Sequence, residues 1–363
     1  MRLSHFEALQ PVCPRCRWER ELNSPLKLVN IISQDEDNII EGLLHCSDPE
    51  CRLEFPIIDG IPIIVRNVRQ YISDNLFHIT ARNDLSDKIQ SLLGDCAGPA
   101  TVFDATRQHL SSYGWDHYGD LSPDNNNISK STYEPGSIVS CLEKALTLVP
   151  HHTDGKIIDN GCSVGRTTFE LAEKHQGLVL GVDVNFSMLR VAQKVLHDKM
   201  LHFPLRRIGI VYDEQSFTVN FKNRDRVDFW ACDAMALPFS EQQFDLATAF
   251  NLLDSLNSPR DLLASIASVL KNGGHALLST PYDWSALATP LETWIGGHSQ
   301  RGPEHGAAEP LLRALLTPGA HPQSLNNLDM LAEISDFPWS IRVHDRSSTV
   351  YNVHIIAAQA IHS

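Results

Sequence analysis

Apolar runs of strand length alternate with stretches of helical spacing along the second half of the chain, from residue 151 onward. Each run is nearly free of polar residues, which is typical of strands buried on both faces. The stretches between them place apolar residues on one helical face, as in 166–175 and 187–198. This alternation predicts a parallel sheet with helices on both faces. The runs begin at residues 157, 178, 227, 244 and 275.

Two features refine this pattern. Between residues 201 and 226 the alternation breaks, and short β-like runs predict a hairpin insertion. Further along, Ser258 can cap a helix, Pro259 fits the first turn of that helix, and Gly273 is expected to end it. We expect this helix to pack its apolar face on the sheet.

Four cysteines near the N-terminus form two close pairs, Cys13 with Cys16 and Cys46 with Cys51. Two sharp turns that each present two thiolates can surround one tetrahedral Zn²⁺, so the spacing predicts a structural zinc ribbon. The second pair is spaced more widely than is usual for such a knuckle. A metal-free, reduced fold is the alternative.

The segment 67–150 carries a mixed pattern. Helical spacing occurs from Asp84 to Leu93, whereas the polar stretch from Asp120 to Thr132 is typical of a mobile loop. The aromatic and charged cluster from Tyr113 to Asp120 predicts a lid over a substrate, with simple packing as the alternative. We expect three parts: a ribbon-like domain at 1–66, a linker with the lid at 67–150, and an α/β domain at 151–363.

The composition is that of an ordinary soluble globular protein, with 363 residues, 42% hydrophobic content and a formal net charge of −14. The negative charge disfavours broad attraction to nucleic acid. Neither a signal-peptide core nor a run of about 18 apolar residues is found, so we expect a cytoplasmic protein without a membrane anchor. We expect the eight cysteines to be thiols or metal ligands rather than disulfides.

The clearest chemical signal is the turn after the first predicted strand, Asp159-Asn160-Gly161-Cys162-Ser163-Val164-Gly165-Arg166. A strand enters this turn and a helix leaves it. The next strand ends at Asp183, an acid placed to accept hydrogen bonds from a ribose. The glycine spacing differs from that of a dinucleotide fingerprint, which disfavours a pyrophosphate ligand. The turn therefore predicts a site for a nucleotide cofactor.

This turn resembles the first motif of class I S-adenosylmethionine (SAM) methyltransferases. The resemblance implies an α/β fold with a Rossmann-like, seven-stranded methyltransferase sheet beside the small zinc-ribbon domain. It also implies that Asp183 holds the ribose hydroxyls of SAM and that Asp233 faces the adenine. The cofactor-binding residues that it implies are Asp159, Gly161, Cys162, Gly165, Arg166, Asp183, Val184, Asp233, Ala234 and Asn251.

A second resemblance covers roughly residues 8–66. The cysteine pairs and the apolar stretch from Phe55 to Val65 are similar to the zinc-ribbon activator subunit of tRNA and release-factor methyltransferases. The resemblance implies a scaffold, or a surface for a protein partner, without a catalytic group. Its implied ligands for a structural Zn²⁺ are Cys13, Cys16, Cys46 and Cys51.

A third and more specific resemblance covers about residues 110–358. The glycine turn, Asn251-Leu252-Leu253-Asp254, Ser279–Trp284 and Pro338–Arg346 are similar to the mercaptohistidine methyltransferase module of ovothiol biosynthesis. That family methylates an imidazole nitrogen. The sulfoxide-synthase part that accompanies it is absent from this sequence, and 302–323 looks like an extra insertion. The resemblance implies methylation of nitrogen, with sulfur also open, in a thiol-histidine-like molecule or a peptide residue.

Candidate catalytic residues lie at the ends of the later strands. Asn251 and Asp254 follow the carboxyl end of a predicted strand, where ligands of such sheets bind. Tyr282 lies in the aromatic loop after the next strand, which predicts a substrate wall. Tyr118 belongs to the predicted lid. Asp254, Tyr282 or Tyr118 would accept the second ring N–H of an imidazole, and Asn251 would orient the substrate or SAM.

Two other functions stay open. The ribbon can serve as the recognition module of an RNA or protein methyltransferase, which predicts a basic stripe from Arg15, Arg17 and Arg20 to the pocket. A non-catalytic scaffold with the same fold predicts no SAM binding. The intact cofactor motif disfavours the scaffold, and methylation of a small molecule is the favoured function. The oligomeric state is left open.

Overall fold

The computed structural model describes residues 1–82, 84–123, 134–150 and 154–362. The α-helices in these ranges are α1 (Leu3–Leu9), α2 (Pro14–Arg20), α3 (Val68–Thr80), α4 (Asp87–Ala97), α5 (Val102–Tyr118), α6 (Ser137–Leu146), α7 (Arg166–Lys174), α8 (Phe186–Asp198), α9 (Pro259–Val269) and α10 (Ala308–Leu315). The strands are β1 (Leu26–Asp35), β2 (Asn38–Cys46), β3 (Glu54–Ile58), β4 (Ile61–Ile64), β5 (Ile157–Asn160), β6 (Val179–Asp183), β7 (Met200–Ile208), β8 (Val211–Thr218), β9 (Val227–Cys232), β10 (Phe244–Phe250), β11 (Leu270–Thr280), β12 (Leu328–His344) and β13 (Ser347–Ala360).

Seven of these strands form the expected α/β sheet, in the order β9-β6-β5-β10-β11-β13-β12. The first five are parallel, whereas β13 is antiparallel to β11 and to β12. Every residue of β5 and β9 is buried, as expected for strands with helices on both faces. The Rossmann-like, seven-stranded sheet is confirmed. Its parallel strands all end at one edge, and their carboxyl ends form the candidate site.

The N-terminal strands extend this sheet to eleven. β1 to β4 form an antiparallel meander, and β4 pairs in parallel with β9, with Ile63 opposite Ala231. Side chains of α2 add further contacts. Arg17 donates a 2.9 Å hydrogen bond to Ser268 Oγ, and the Trp18 indole donates a 3.2 Å hydrogen bond to a backbone carbonyl before β10. The cysteine-bearing segment therefore shares one hydrogen-bonded sheet with the α/β part.

The expected hairpin insertion is confirmed as β7 and β8, which pair only with each other. Helix α5 packs on β7 and also on β12. The close approach of α5 to β7 requires Gly114, because a Cβ there would lie 2.6 Å from the Phe203 ring. The predicted lid lies on α5, where Trp115 is almost fully buried but Tyr113 is 41% exposed.

One helix boundary was predicted wrongly. The helix begins after Ser258 as expected, but it ends at Val269 instead of Gly273. The reason is that Leu270 already pairs with Phe244 at the start of β11. The chain therefore enters β11 at Leu270, three residues before Gly273.

The linker also differs in detail from the prediction. The helix expected from Asp84 to Leu93 runs instead from Asp87 to Ala97 as α4. The loop expected from Asp120 to Thr132 lies partly outside the described residues, which omit 124–133. The start of this loop continues α5 as a short 3₁₀ turn, Gly119–Leu121.

Candidate functional site

The glycine turn between β5 and α7 has a backbone conformation that requires its glycines. Gly161 has a φ of +70° and Gly165 a φ of +88°, in a region that costs other residues about 1–2 kcal/mol. A Cβ on Gly165 would lie 2.6 Å from the Phe229 ring, and a Cβ on Gly161 would lie 2.9 Å from Leu252. The turn therefore offers bare backbone to a ligand at the edge of the sheet.

Asp183 ends β6 beside this turn, as predicted. One carboxylate oxygen accepts the Ser163 N–H and the other accepts the Asn185 N–H, both at 2.8 Å. A carboxylate has about four acceptor positions, so two remain for ribose hydroxyls. Burial raises the pKa of Asp183. The two backbone donors fix the orientation of the side chain before any ligand binds.

Asp159 lies beneath the turn rather than on its open side. Its carboxylate is 1% exposed and accepts hydrogen bonds from the hydroxyls of Thr167, Thr168 and Thr248. These donors come from α7 and β10, so the carboxylate ties the turn to its neighbours. Cys162 is buried as well. Neither side chain is exposed toward a ligand, and the geometry favours a supporting role for both over the predicted contact with the cofactor.

Arg166 and Tyr118 are also fully committed to protein contacts. The guanidinium of Arg166 donates to both oxygens of Asp120, to Glu170 and to the His117 carbonyl. The hydroxyl of Tyr118 donates a 2.8 Å hydrogen bond to a backbone carbonyl of the glycine turn, and the residue is 0% exposed. The structure therefore does not bring either side chain into the cleft. Its geometry favours a positioning role over the predicted cofactor and catalytic roles.

The predicted adenine end is formed by residues after β6 and β9. Asp233 accepts the Met235 N–H at 2.9 Å, and Ala234 is buried behind it. Val184 is 46% exposed, which is unusual for an apolar side chain at this position and leaves its surface free for a flat ring. Tyr71 of α3 donates a 2.8 Å hydrogen bond to the Val184 carbonyl. Sequence motifs did not reveal Tyr71, because it lies on α3, far in sequence from the glycine turn and Asp183.

The ends of β10 and β11 each turn through a strained residue. Asn251 has a φ of +49° and Tyr282 a φ of +56°, values that are uncommon outside glycine and concentrate at functional sites. Ser279 holds Asn251 in place, since its hydroxyl donates to Asn251 Oδ1 at 2.8 Å and its carbonyl accepts the Asn251 N–H. The two strand ends thus have a fixed shape next to the glycine turn.

Asp254 follows these strand ends and is 4% exposed. Its Oδ2 accepts the backbone N–H of Asp283 at 2.7 Å. Burial, partly opposed by this hydrogen bond, raises the pKa of Asp254 to about 6. A carboxyl with such a pKa can hold or release a proton near neutral pH, which suits an acid–base role.

Three tyrosines lie within electrostatic range of Asp254. The charge on Asp254 contributes, after burial, to the raised pKa values of Tyr113, Tyr282 and Tyr351. The pKa of Tyr113 rises to about 12, and the charge of Asp183 contributes there too. Tyr113 of α5 therefore lies within electrostatic range of both the predicted ribose acid and Asp254, and it is 41% exposed.

Tyr351 was not predicted as a site residue. Its hydroxyl donates a 3.0 Å hydrogen bond to Asp283 Oδ2, and Asp283 in turn donates its N–H to Asp254. The residue lies on β13, and only the antiparallel pairing of β13 with β11 brings it to this edge. The alternation of side chains along a strand does not indicate that Tyr351 would bond to Asp283.

The aromatic loop after β11 forms one wall. The rings of Trp284 and Trp294 stack with centroids 5.9 Å apart, and Tyr282 lies 6.4 Å from Trp284. The Tyr282 hydroxyl lies 2.7 Å from His354 Nδ1, and His354 Nε2 lies 2.8 Å from Glu333. This chain of hydrogen bonds anchors the loop on β12 and β13. No sequence motif marks His354 as part of this site.

The four predicted zinc ligands converge. The ligand atoms of Cys13, Cys16, Cys46 and Cys51 all lie within 4.8 Å of one another. Cys13 Sγ is 3.8 Å from Cys51 Sγ, and Cys16 Sγ is 3.7 Å from Cys46 Sγ. A tetrahedron with Zn–S bonds of about 2.3 Å has edges of about 3.8 Å. The donor set and spacing therefore fit a structural Zn²⁺.

The comparison with known families agrees with this geometry. Residues 158–278 match the family model described as a methyltransferase domain. This range begins at the glycine turn and includes Asp183, Asp233 and Asp254. Together with the strand order, the match shows that this part of the chain has the fold of class I SAM-dependent methyltransferases.

The curated proteins that resemble this chain are distant relatives, each less than 30% identical to it. The ubiquinone biosynthesis O-methyltransferase of Coxiella burnetii is 27% identical over 139 residues, which are 38% of this chain and 47% of that protein. Methyltransferase GfsG of Streptomyces halstedii is 24% identical over 201 residues, 52% of this chain and 63% of its own. The chain spans about half the length of the curated relatives it matches.

Among solved structures, a SAM-dependent methyltransferase from Methanosarcina mazei is 20% identical over 60% of this chain and 97% of its own, with a TM-score of 0.39. Within the described residues, no helix is long and apolar enough to cross a membrane.

Proposed function

We propose that the protein transfers the methyl group of SAM to a nitrogen of a small imidazole-like acceptor such as a thiol-histidine, with sulfur of the same molecule as the second choice. The observation that carries the proposal is the buried Asp254 carboxyl. Burial raises its pKa to about 6, and it lies after the carboxyl end of β10, where it accepts the N–H of Asp283 from the loop after β11. Such a site suits an acceptor that presents an N–H group.

The cofactor half of the cleft supports SAM as the donor. Asp183 keeps two acceptor positions for the ribose hydroxyls, and Val184 offers an apolar surface to the adenine. The bare backbone of the glycine turn suits the methionine end. SAM, when bound here, supplies a methyl group that its sulfonium charge already activates.

The acceptor half then needs only to align, desolvate and keep the nucleophile neutral. Asp254, ionised above its pKa, accepts the N–H of one ring nitrogen, which leaves the lone pair of the other nitrogen free to attack. Tyr351 bonds to the neighbouring Asp283, and we expect the stacked rings of Tyr282, Trp284 and Trp294 to keep water from the acceptor. The proton that the acceptor loses on methylation passes to Asp254.

We also propose that the ribbon binds Zn²⁺ and acts as a structural extension of the sheet. The four cysteines fit the ion, and β4 hydrogen-bonds to β9, which ends beside Asp233. Tyr71, just after the ribbon, reaches the Val184 carbonyl. The ribbon and the segment after it therefore support the adenine end from within the same chain.

The RNA or protein alternative finds less support. Its expected basic stripe would run through Arg15, Arg17 and Arg20. Instead Arg15 pairs with Glu19, Arg20 pairs with Asp48, and Arg17 is 9% exposed with its guanidinium on the α/β part. These three side chains do not form a continuous cationic surface.

The proposal is tested with SAM that carries an isotopically labelled methyl group. The purified zinc-loaded protein is incubated with a thiol-histidine, histidine, a histidine-containing peptide and bulk tRNA in separate reactions, and products are analysed by mass spectrometry. We expect label on an imidazole nitrogen, with its rate of incorporation reduced about 100-fold in Asp254→Asn while S-adenosylhomocysteine (SAH) still binds. Asp35→Asn, at an exposed position on β1, is the matched control. Label on tRNA alone would overturn the proposal.

A further inference from the structure

Two neighbouring cavities lie between α3, α5 and α8, to one side of the cleft described above. Their volumes are about 160 and 230 Å³, and they share Thr106, Leu110 and Ser187 as lining residues. A dry cavity of about 150 Å³ is large enough for a benzene-sized ring. The pair therefore has room for one ring or short chain together with a polar group.

The smaller cavity has an unusual charge. Cationic side chains line it, whereas no aspartate or glutamate of the described residues does. This is notable in a chain with a formal net charge of −14. The cationic or potentially cationic side chains are Arg82, Arg107, Arg190, Lys194 and His202.

Two of these cations retain unused hydrogen-bonding capacity. Arg107 is 6% exposed, and its Nε has no hydrogen-bond partner among the described residues. Its ion-pair partner Glu214 lies 3.5 Å from Nη2, at the other end of the guanidinium, beyond good hydrogen-bond distance. Lys194 is exposed at the rim, and no acid among the described residues pairs with it. A buried donor without a partner is destabilising, and a ligand acceptor that bonds to it removes this cost.

The remaining cations are held by the protein and shape the site. Arg190 pairs with Asp59 and donates to carbonyls at the end of α3, and Arg82 forms a two-pronged pair with Asp84. The walls between them are apolar, with Phe77 and Phe103 on opposite helices. The cavity thus combines a hydrophobic interior with positive charge.

We propose that this cavity is a binding site for a small anion with an apolar ring or short chain, such as an aromatic carboxylate or phosphate. The anionic group would meet Arg107 Nε and Lys194, and the apolar part would lie against Phe77, Phe103 and Leu110. The site is separate from methyl transfer. It is close to the cofactor, however, because Asn185 lines the second cavity and also donates its N–H to Asp183.

Calorimetric titration with phenyl phosphate tests this proposal. The protein is first saturated with SAH, so that the probe cannot enter the cofactor cleft. Benzyl alcohol and inorganic phosphate are titrated in parallel, as the apolar part and the charged part alone. We expect phenyl phosphate to bind at least about tenfold more tightly than either, because benzyl alcohol lacks its charge-assisted hydrogen bonds and inorganic phosphate lacks its buried apolar ring.

Three variants locate the binding. Lys194→Glu should weaken phenyl phosphate binding at least about tenfold, since it replaces attraction by repulsion. Lys144→Glu, which makes the same charge change at an exposed position on α6, should leave binding unchanged. Thr106→Trp, which fills the space between the two cavities, should abolish binding while SAH still binds. The melting temperature of each variant shows whether it is folded.

The opposite results would overturn the inference. Equal binding of phenyl phosphate and inorganic phosphate would show an adventitious ion on a surface lysine. Unchanged binding in Lys194→Glu would place the probe elsewhere, even if Thr106→Trp fails to fold. If SAH does not bind, the proposed methyltransferase function fails, but the same titrations of the free protein still decide whether the cavity binds the anion.

Discussion

The two halves of the cleft are built in different ways. The cofactor half comes from one β-turn-α-β unit, in which the glycine turn and Asp183 are close both in sequence and in space. The acceptor half gathers Tyr113, Asp254, Asp283 and Tyr351 from four separate parts of the chain. Backbone groups dominate the first half and side chains the second.

This difference indicates where specificity resides. Backbone donors and a fixed carboxylate suit a cofactor that never changes, whereas side chains on distant elements can change one at a time with the acceptor. Asp254 and Tyr351 both bond to Asp283. The loop after β11, which carries Asp283, therefore links the end of β10 to β13. The halves should therefore respond separately to mutation.

The largest effect is expected from Asp183→Ala. Loss of two charge-assisted hydrogen bonds to the ribose, at about 1.5–3 kcal/mol each, should weaken SAH binding by about 1,000-fold in a calorimetric titration. Asp35→Ala, at an exposed position on β1, should bind SAH normally. Unchanged SAH affinity in a folded Asp183→Ala protein would contradict the assignment of the cofactor half.

Asp254→Asn should separate the halves. The substitution keeps the shape of the side chain but removes the base, so kcat should fall by about 100-fold, within the range for general bases. SAH affinity should stay within about threefold of the unmodified protein, because Asp254 lies on the acceptor side. If both quantities fall together, the two halves act as one unit and the comparison fails.

Loss of zinc should act through the cofactor half. Cys16→Ser removes one of four thiolates, and we expect it to cost about 2 kcal/mol or more of folding free energy and to lower Tm by roughly 3 °C or more. SAH binding should weaken with it, because β4 supports β9 and Tyr71 contacts the Val184 carbonyl. Cys96→Ser, at an exposed cysteine of α4, is the control. An unchanged Tm would show that the cluster carries no metal.

The pH dependence of transfer should report the acceptor half. Burial raises the pKa of Asp254 to about 6, and only the ionised carboxylate can accept the acceptor N–H. The rate should therefore be constant above about pH 7 and should fall about tenfold per pH unit below the pKa. Initial rates between pH 5 and pH 8 test this, and Asp254→Asn should lose this limb of the profile.

The smallest effect is expected from Tyr351→Phe. The substitution removes a 3.0 Å hydrogen bond to Asp283 and keeps the ring. A hydrogen bond contributes about 0.5–1.5 kcal/mol, and somewhat more when one partner is charged, so KM for the acceptor should rise about three- to tenfold. SAH affinity should not change. A larger loss in SAH binding than in KM would assign Tyr351 to the cofactor half.

The same contrast explains what the sequence could predict. The order of strands and helices, the hairpin and the glycine turn follow from local periodicity and spacing, and the cysteine pairs follow from the geometry of one metal ion. Asp183 could be found because only one helix separates it from the turn.

The remaining features depend on pairing between distant segments. Tyr71 and Tyr351 reach the cleft only through contacts made by α3 and β13, and no local pattern encodes these. Tyr118 and Arg166 belong to suggestive motifs, but their polar atoms are bonded within the protein. The end of α9 was missed because the sheet register, and not helix propensity, sets it.

The continuous sheet of eleven strands also has a consequence for assembly. A separate subunit that completes a sheet edge dissociates on dilution and can be lost to competing partners, whereas a segment joined through the chain is held at a high effective concentration. Here β4 reaches β9 from within the same polypeptide. The catalytic core is therefore always accompanied by its edge, in a fixed ratio of one to one at any protein concentration.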